Sequence, residues 1–247
     1  MCLSLRGFVR AWPRWIAAAL LLGAIGGCGL AEYEAKMDDA QKRIDYLDKL
    51  NAYLGGAIEP PPPEKNPAGP DGTVTIKPKI DLFLRVPKGI ETKSEPATVG
   101  GLLYRYPREP ATAHPAQRAG VPPAKQPPEF QEVLVAVSTD RSRDEFWQAI
   151  LGPFGGIDTS SMTQETLQVP GRQPLIYEKL AFSAPSPPTS YFFFVNQAQN
   201  VLVAVVFSVK HELATNPEVV AAMEYSLRSL GVGPEATSLR SRFRPPN

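Results

Sequence analysis

Alternating apolar and polar residues predict several β-strands in the C-terminal two thirds of the chain. Residues 80–86 read IDLFLRV, in which every second side chain is aliphatic, as in a strand with one buried face. The run VLVAVVFSV from Val201 is apolar on both faces, so both sides of its sheet should be covered. Further strands are predicted at LLYRY, VLVAV, LIYEKLAF and YFFFV, which start at residues 102, 133, 175 and 191.

Two helices are predicted between and after these strands. Ser142 and Glu145 form a possible capping box before an apolar helical face. Asn216 as the cap, Pro217 at the first helical position and Gly231 after the end frame the second helix. NQAQN, between the last two strands, predicts a five-residue hairpin loop. We therefore expect an α+β fold, with an antiparallel sheet and a terminal helix packed across it.

A heptad repeat precedes the strands. Residues 33–54 carry seam residues at alternating spacings of four and three, which predicts a helix. Asn51 falls in the seam, where a single asparagine sets the register of parallel dimers, and Arg43 and Asp48 carry opposite charges beside it. This pattern predicts either a homodimeric short coiled coil or a lone amphipathic helix that lies on lipid or on its own domain. The seam residues are Tyr33, Met37, Ala40, Ile44, Leu47, Asn51 and Leu54.

The first 27 residues predict a signal peptide. Three arginines lie within residues 1–15, and the apolar run at residues 16–25 is shorter than the roughly 20 residues that span a bilayer. The segment Ile25-Gly26-Gly27-Cys28 then resembles the lipobox of bacterial lipoproteins, in which the cysteine is acylated and begins the mature chain. The resemblance implies lipidation at Cys28 and, because Gly29 follows it, the outer membrane. An ordinary secretory signal and an uncleaved anchor are the alternatives.

Proline clusters divide the rest of the chain. Gly55-Gly56 should end the helix, and residues 55–72 predict an extended, proline-rich linker. A second proline-rich stretch, at 107–128, is predicted to be a disordered insertion. The expected organisation is a signal peptide, a lipid-anchored helix, the linker, an α+β sandwich domain with its insertion and a flexible tail, at residues 1–27, 28–54, 55–72, 73–232 and 233–247.

Composition and charge narrow the functional classes. Loss of the signal peptide removes three of the 26 lysines and arginines, which leaves 23 against 25 acidic residues. This near-neutral balance argues against a nucleic-acid-binding protein. Cys2 lies in the signal peptide, so Cys28 would be the one cysteine of the mature chain. A disulfide or a cysteine zinc site is then excluded.

Motifs for catalysis are missing from the sequence. His211-Glu212 begins an HExx pattern, but Thr215 takes the place of the second histidine, so no metal site is predicted there. His114 lies in the proline-rich insertion, where nothing would hold a catalytic geometry. The chain has no GxSxG elbow and no Walker-type glycine loop. No catalytic residue, metal or cofactor is therefore expected.

Three other segments have a binding alternative beside a structural one. The aromatic run from Tyr191 to Phe194 is predicted to be core, or else to line an apolar ligand cleft. Asp158 to Thr166 is predicted to be a polar loop that could bind a partner or only water. Arg240, Arg242 and Arg244 form a basic tail, either a solvated terminus or a contact with anionic lipid.

Two stretches resemble the domains of the PsbP-like and DcrB-like families. DLFLRVPKGI from Asp81 looks like their strand followed by Pro-Lys-Gly, and VLVAVVFSV followed by NPEVVAAMEYSLRSL is similar to their last strand and terminal helix. The resemblance extends over residues 74–232, and the insertion at 107–128 departs from it. It implies a non-catalytic binding or assembly module and assigns no site residue.

Together these patterns predict a membrane-anchored lipoprotein of the bacterial cell envelope, facing the periplasm, whose domain binds an envelope protein or component and has no enzymatic activity. The alternative is an envelope enzyme whose carboxylates are brought together only by the fold.

Overall fold

A computed structural model describes residues 12–61, 80–96, 102–110, 129–155 and 157–243 and, apart from Pro96, their side chains from residue 30 onward. The chain divides into two units, Met1–Asp48 and Lys49–Asn247. Most of the predicted linker and of the predicted insertion lies outside the described residues, as do His114 and Arg244.

The described chain contains both helices and antiparallel strands, so the α+β class is confirmed. The helices are α1 (Trp12–Tyr53), α2 (Arg143–Leu151), α3 (Pro217–Arg228) and α4 (Pro234–Arg242). The strands are β1 (Leu54–Ala57), β2 (Leu82–Phe83), β3 (Arg85–Pro87), β4 (Glu95–Pro96), β5 (Tyr104–Pro107), β6 (Phe130–Ser138), β7 (Thr163–Leu167), β8 (Leu175–Pro185), β9 (Pro188–Ala198), β10 (Val201–Lys210) and β11 (Gly231–Val232).

The main sheet has the strand order β4-β5-β6-β10-β9-β8-β7, and neighbouring strands are antiparallel. The hairpin between β9 and β10 is tighter than the five-residue loop that the sequence predicts. Pairing continues to Ala198 and Val201, which leaves a two-residue turn of Gln199 and Asn200. Gln199 adopts a positive φ of 52°, which the tight turn requires.

Both faces of this sheet are covered, as the apolar pattern of β10 predicts. Val203, Val205 and Phe207 face α3 and the strands β2 and β3, whereas Leu202 and Ala204 face α2. The aromatic run of β9 is divided between the same two cores, with Phe194 on the α3 side and Phe193 on the α2 side. Its core interpretation therefore agrees with the structure, because alternate strand residues point to opposite faces.

A smaller layer covers the α3 side of the sheet. The segment 82–87 pairs with β1 through its second half and with β11 through its first half. Its inward residues Leu82, Leu84 and Val86 are fully buried in the main core. The predicted alternation is thus correct, and it turns Phe83 and Arg85 outward, where α4 packs on Phe83.

The domain begins earlier than the predicted residue 73. The last turn of α1 belongs to the second unit, in which Leu50 and Leu54 are each 1% exposed and Tyr53 stacks on Tyr225 at 5.4 Å between ring centroids. Burial of these apolar side chains against the domain removes Leu54 from the predicted seam, because a side chain in the core cannot also face a second helix.

The predicted linker also begins too early. Residues 54–57 form β1, and the Ile58 backbone N–H donates to Leu84 O at 2.9 Å. The Tyr106 hydroxyl donates to Glu59 O at 2.7 Å, and burial raises the pKa of this phenol above its ordinary value. These bonds hold the first residues after Gly55-Gly56 on the domain, so residues 54–59 are part of the fold.

The C-terminal segment differs from the predicted flexible tail of residues 233–247. It forms α4, which buries Ala236 and Leu239 beside Phe83. Gly231 does not end α3, whose cap is Ser229, but lies in β11 where a Cβ would be 2.5 Å from Leu239 Cδ1. The same Cβ would lie 3.2 Å from the Ala236 backbone N, so a larger residue would press on the backbone of α4.

The first unit is described by the part of α1 that precedes Lys49. Four seam side chains there, Tyr33, Met37, Ile44 and Leu47, are 40–61% exposed. Lys36 pairs with Glu32 at 2.7 Å and Arg43 with Asp39 at 2.8 Å, both one helical turn apart. Among the described residues, no helix is long and apolar enough to span a bilayer.

Candidate functional site: a basic cleft beside α4

An open cleft of about 670 Å³ lies on the outward face of the small layer, within the second unit. It forms because α4 covers only part of this face: Phe83 is buried beneath the helix, and Arg85, two positions along, lies beyond it. Ligand pockets commonly measure about 300–1,000 Å³. The lining residues are Asn51, Gly55, Gly56, Ala57, Phe83, Arg85, Thr237, Arg240, Ser241 and Phe243.

Arg85 connects three parts of the cleft wall. Its Nη1 donates to Asn51 Oδ1 at 2.8 Å, its Nε to Gly55 O at 3.0 Å and its Nη2 to Leu54 O at 3.3 Å. The guanidinium also lies 5.3 Å from the centroid of the Phe243 ring, which itself stacks on Phe83 at 5.6 Å. A guanidinium over an aromatic face is a favourable cation–π arrangement.

Arg240 supplies a second guanidinium from α4. It pairs with Asp81 at 2.7 Å through Nη1, and its Nη2 donates to Leu82 O at 3.0 Å. Thr237 donates its hydroxyl to the other carboxylate oxygen of Asp81 at 2.6 Å. These bonds fix α4 to the end of the small layer, so the cleft wall is held by side chains from distant parts of the sequence.

The cleft therefore combines positive charge with an apolar floor. Among the described residues, its lining includes two arginines and the hydroxyls of Thr237 and Ser241, and no Asp or Glu. Phe243, which stacks on the buried ring of Phe83, and Ala57 provide the apolar part. A concave surface that joins apolar and polar side chains can bind a small organic ligand.

The predicted site residues lie elsewhere, with one exception. Cys28 falls within α1, and its side chain is outside the described part. Of the predicted basic tail, Arg240 lines the cleft and Arg242 ends α4. Asp158 caps the short turn Thr159–Ser161, and hydrogen bonds from Ser160 lower the pKa of its carboxyl. The prediction of a polar loop is wrong for residues 163–166, because Thr163–Leu167 form the edge strand β7, which pairs with β8.

The fold does bring one serine and one histidine together. Ser190 Oγ lies 2.9 Å from His211 Nδ1 and 3.1 Å from Ser183 Oγ. The sequence prediction missed this pair because Ser190 and His211 meet through the β9–β10 ladder, not through a motif. Ser190 is 3% exposed within that ladder, whereas His211 is exposed in the short turn that follows β10.

Two of the described pockets contain carboxylates, and in the one on α1 Glu32 and Asp39 are paired with Lys36 and Arg43. A cavity of about 220 Å³ beside α2 is lined by Glu178 with no second carboxylate. Glu178 accepts hydrogen bonds from Trp147 Nε1 and Arg143 Nε, both at 2.7 Å. In the part of the chain that the structure describes, no group of three or more His, Cys, Asp or Glu could hold a metal ion.

One pattern in the sequence indicates the face on which the cleft lies. Phe83 and Arg85 occupy the outward side of a strand whose other side is wholly aliphatic. A phenylalanine there must be covered by something, and the cover proved to be α4. Nothing in the sequence indicated which segment would do so.

Comparison with known proteins gives a fold neighbour only. No protein-family model matches the chain, and no curated protein matches it in sequence. Among solved structures, the chain is similar to the Ran-binding protein Mog1p of Saccharomyces cerevisiae, with 15% identity and a TM-score of 0.36. The similarity covers 64% of this chain and 93% of Mog1p. A likeness at this level bears on neither partner nor activity.

Proposed function

We propose that this chain is a bacterial envelope lipoprotein, anchored through an acylated Cys28, whose second unit is a non-catalytic binding module. The lipobox resemblance at residues 25–28 and the short apolar run before it support the anchor. A diacylglyceryl group would supply the two acyl chains that stable anchoring needs. Gly29 favours the outer membrane, with the module facing the periplasm.

The single observation that carries the binding role is the cleft beside α4. There, among the described residues, α4 covers only part of an outward face that carries Arg85 and Phe243. The Ser190–His211 contact, by contrast, joins a serine that is buried in the sheet to an exposed histidine outside any described pocket. A concave surface that joins apolar side chains with a few polar groups is typical of ligand-binding sites.

A homodimer through α1 is the proposed arrangement at the membrane, with a seam shorter than the predicted residues 33–54. Asn51 Oδ1 accepts a hydrogen bond from Arg85 Nη1, and Leu54 is buried in the second unit. Neither residue is therefore part of the proposed seam. The remaining seam runs from Tyr33 to Leu47. A short seam is marginal alone, but anchoring two chains in one membrane raises their effective concentration.

Lipidation is tested by mass spectrometry of the mature protein from a bacterial membrane fraction. We expect an N-terminal Cys28 that carries lipid, and we expect Cys28→Ala to appear unprocessed or in the soluble fraction. An unmodified Cys28 thiol in the mature chain would contradict the anchor.

Binding at the cleft is tested by thermal shift of the full chain against a mixed library of neutral, cationic and anionic small molecules. We expect compounds that raise Tm to lose their effect in Ser241→Trp, since the indole would fill the cleft. Ser238→Trp, on the same helix but outside the lining, is the matched control. Ligands that act equally on both variants, or no ligands at all, would refute the cleft as the binding site.

A further inference from the structure

We propose that the outer edge of β7 binds an extended segment of a partner protein, which adds to the main sheet as a further strand. This inference does not depend on the cleft beside α4, whose lining residues come from other elements. It follows from the regular pairing of β7, from its contrast with the opposite edge of the sheet and from the side chains that it carries.

β7 is a regular strand that is paired on one side. All five of its residues pair with β8 in unbroken register, from Thr163 opposite Lys179 to Leu167 opposite Leu175. Among the described residues, β8 is the only strand beside it. Alternate residues of an antiparallel strand direct their N–H and C=O groups to opposite sides, so part of the β7 backbone points away from β8. Such unpaired groups form a template on which another extended chain can bind.

The rest of the fold holds β7 in this extended form. Leu167 is 4% exposed and belongs to the main core. Glu165, on the same face of the sheet, pairs with Lys179 of β8 at 3.0 Å. A template that is already ordered lowers the entropy that a partner loses on binding, compared with one that must first be ordered.

The opposite edge of the main sheet lacks these properties. β4 has two residues, Glu95 and Pro96, and proline has no N–H to donate. Short strands, prolines, lysines and bulges are the devices that usually keep an edge strand from pairing. The β7 sequence, TQETL, contains no proline and no lysine, and its register with β8 contains no bulge. Of these two edges, β7 is therefore the one suited to strand addition.

The side chains of β7 favour a different protein over a second copy of this chain. Thr163, Gln164 and Thr166 are exposed and uncharged. A second copy that paired antiparallel along the whole strand would place Glu165 opposite its own twin, and like charges directly opposite each other destabilise such a pair. A segment with a neutral or basic residue at that position avoids the repulsion. We therefore commit to an extended segment of a different protein.

Peptide selection against the full chain in a non-ionic detergent tests strand addition. The probe is a phage-displayed library of random peptides about as long as β7, and the enriched peptides are synthesised so that their Kd can be measured. We expect enrichment of sequences rich in β-branched residues, which favour an extended backbone. We also expect a bound peptide to slow hydrogen exchange at alternate amides of β7, namely those that point away from β8.

Proline substitution at two adjacent positions separates backbone pairing from side-chain contact. Gln164 and Glu165 direct their N–H groups to opposite sides, so one of Gln164→Pro and Glu165→Pro disturbs the pairing with β8 and lowers Tm. The other removes only an outward N–H, should keep Tm and should weaken the selected peptides about tenfold. Gln164→Val and Glu165→Gln keep their N–H groups and are the matched controls, which should bind nearly as tightly as the unaltered chain.

The outcomes separate this inference from the proposed function. The absence of enriched peptides, equal binding by the stable proline variant, or exchange that slows at no β7 amide would overturn strand addition. If both proline variants lose Tm, hydrogen exchange at the β7 amides decides.

Two further results would assign the peptides to another place. Peptides that lose binding in Ser241→Trp occupy the cleft, which would contradict strand addition and leave the proposed function standing. Competition by a synthetic peptide of residues 162–168 would show that β7 pairs with its own kind, which would overturn the choice of a different protein. A cleft that binds no compound contradicts only the proposed function.

Discussion

Gly231 shows how one residue controls the approach of α4 to the small layer. A Cβ at this position would lie 2.5 Å from Leu239 Cδ1 and 3.2 Å from the Ala236 backbone N. The leucine side chain can rotate, but the helix backbone moves only if α4 shifts. We expect Gly231→Ala to lower the free energy of unfolding by about 1–3 kcal/mol, as overpacking usually does. Urea unfolding of the processed chain, followed by Trp147 fluorescence, measures this loss.

Gly55, in β1, is the matched control for that substitution. Its backbone is outside the left-handed region, and a Cβ built on it would lie 3.7 Å from the nearest atoms beyond its chain neighbours, which is ordinary van der Waals contact. Gly55→Ala should leave stability unchanged or raise it by about 0.4–1 kcal/mol, because alanine restricts the unfolded chain. An equal loss in both variants would show that close packing under α4 is not the cause.

At the scale of the element, the charges along α1 favour a parallel pair over an antiparallel one. With Met37 and Ile44 at one core position, the flanking positions on one side are basic and those on the other are acidic. In a parallel pair, the basic flank of one helix lies beside the acidic flank of the other. In an antiparallel pair, the two basic flanks face each other and so do the two acidic flanks. The basic flank is Lys36 and Arg43, and the acidic flank is Glu34 and Asp48.

Disulfide trapping in membranes tests this pairing of α1. In a parallel, in-register pair Ile44 faces its own twin, within the 4.4–6.8 Å or so between Cα atoms that a disulfide needs. We expect Ile44→Cys to give a cross-linked dimer under oxidation, and Lys42→Cys, on the outer side of the same helix, to give little. Equal cross-linking at both positions, or none at Ile44→Cys, would contradict the parallel pair.

At the scale of the whole molecule, the boundary of the folded unit lies at the last turn of α1. Leu50, Leu54 and Ile58 are each at most 4% exposed. Loss of one buried leucine side chain typically costs about 2–5 kcal/mol, and a domain is stable by about 5–15 kcal/mol in total. A chain that begins at Thr73 lacks all three and should not fold, whereas one that begins at Lys49 should.

Trp147 reports the difference between those two chains. It is 3% exposed, and its Nε1 donates to Glu178, so its fluorescence responds to loss of the core around α2. We expect a cooperative urea transition for the chain from Lys49, and none for the chain from Thr73. A cooperative transition of equal midpoint in both would restore the predicted boundary at residue 73 and remove the α1 turn from the fold.

Local signals were sufficient for the helix caps and for the two faces of the central strand. Ser142 and Glu145 form the predicted capping box, in which the Ser142 backbone N–H donates to Glu145 Oε2 at 2.9 Å and thereby lowers the pKa of that carboxyl. Asn216 caps α3 by accepting from the Glu218 N–H, as predicted. The faces of β10 also followed from the sequence, since strand side chains alternate with a fixed period.

The sequence by itself therefore determined the α+β class, the caps of α2 and α3 and the two buried faces of the central strand, because each depends on spacing along a short segment. The tertiary structure alone decided that Leu54 belongs to the core, that Asn51 binds Arg85 and that α4 covers Phe83. In each of these cases the partner lies more than 30 residues away, and apolar periodicity indicates that a face will be buried without indicating what buries it.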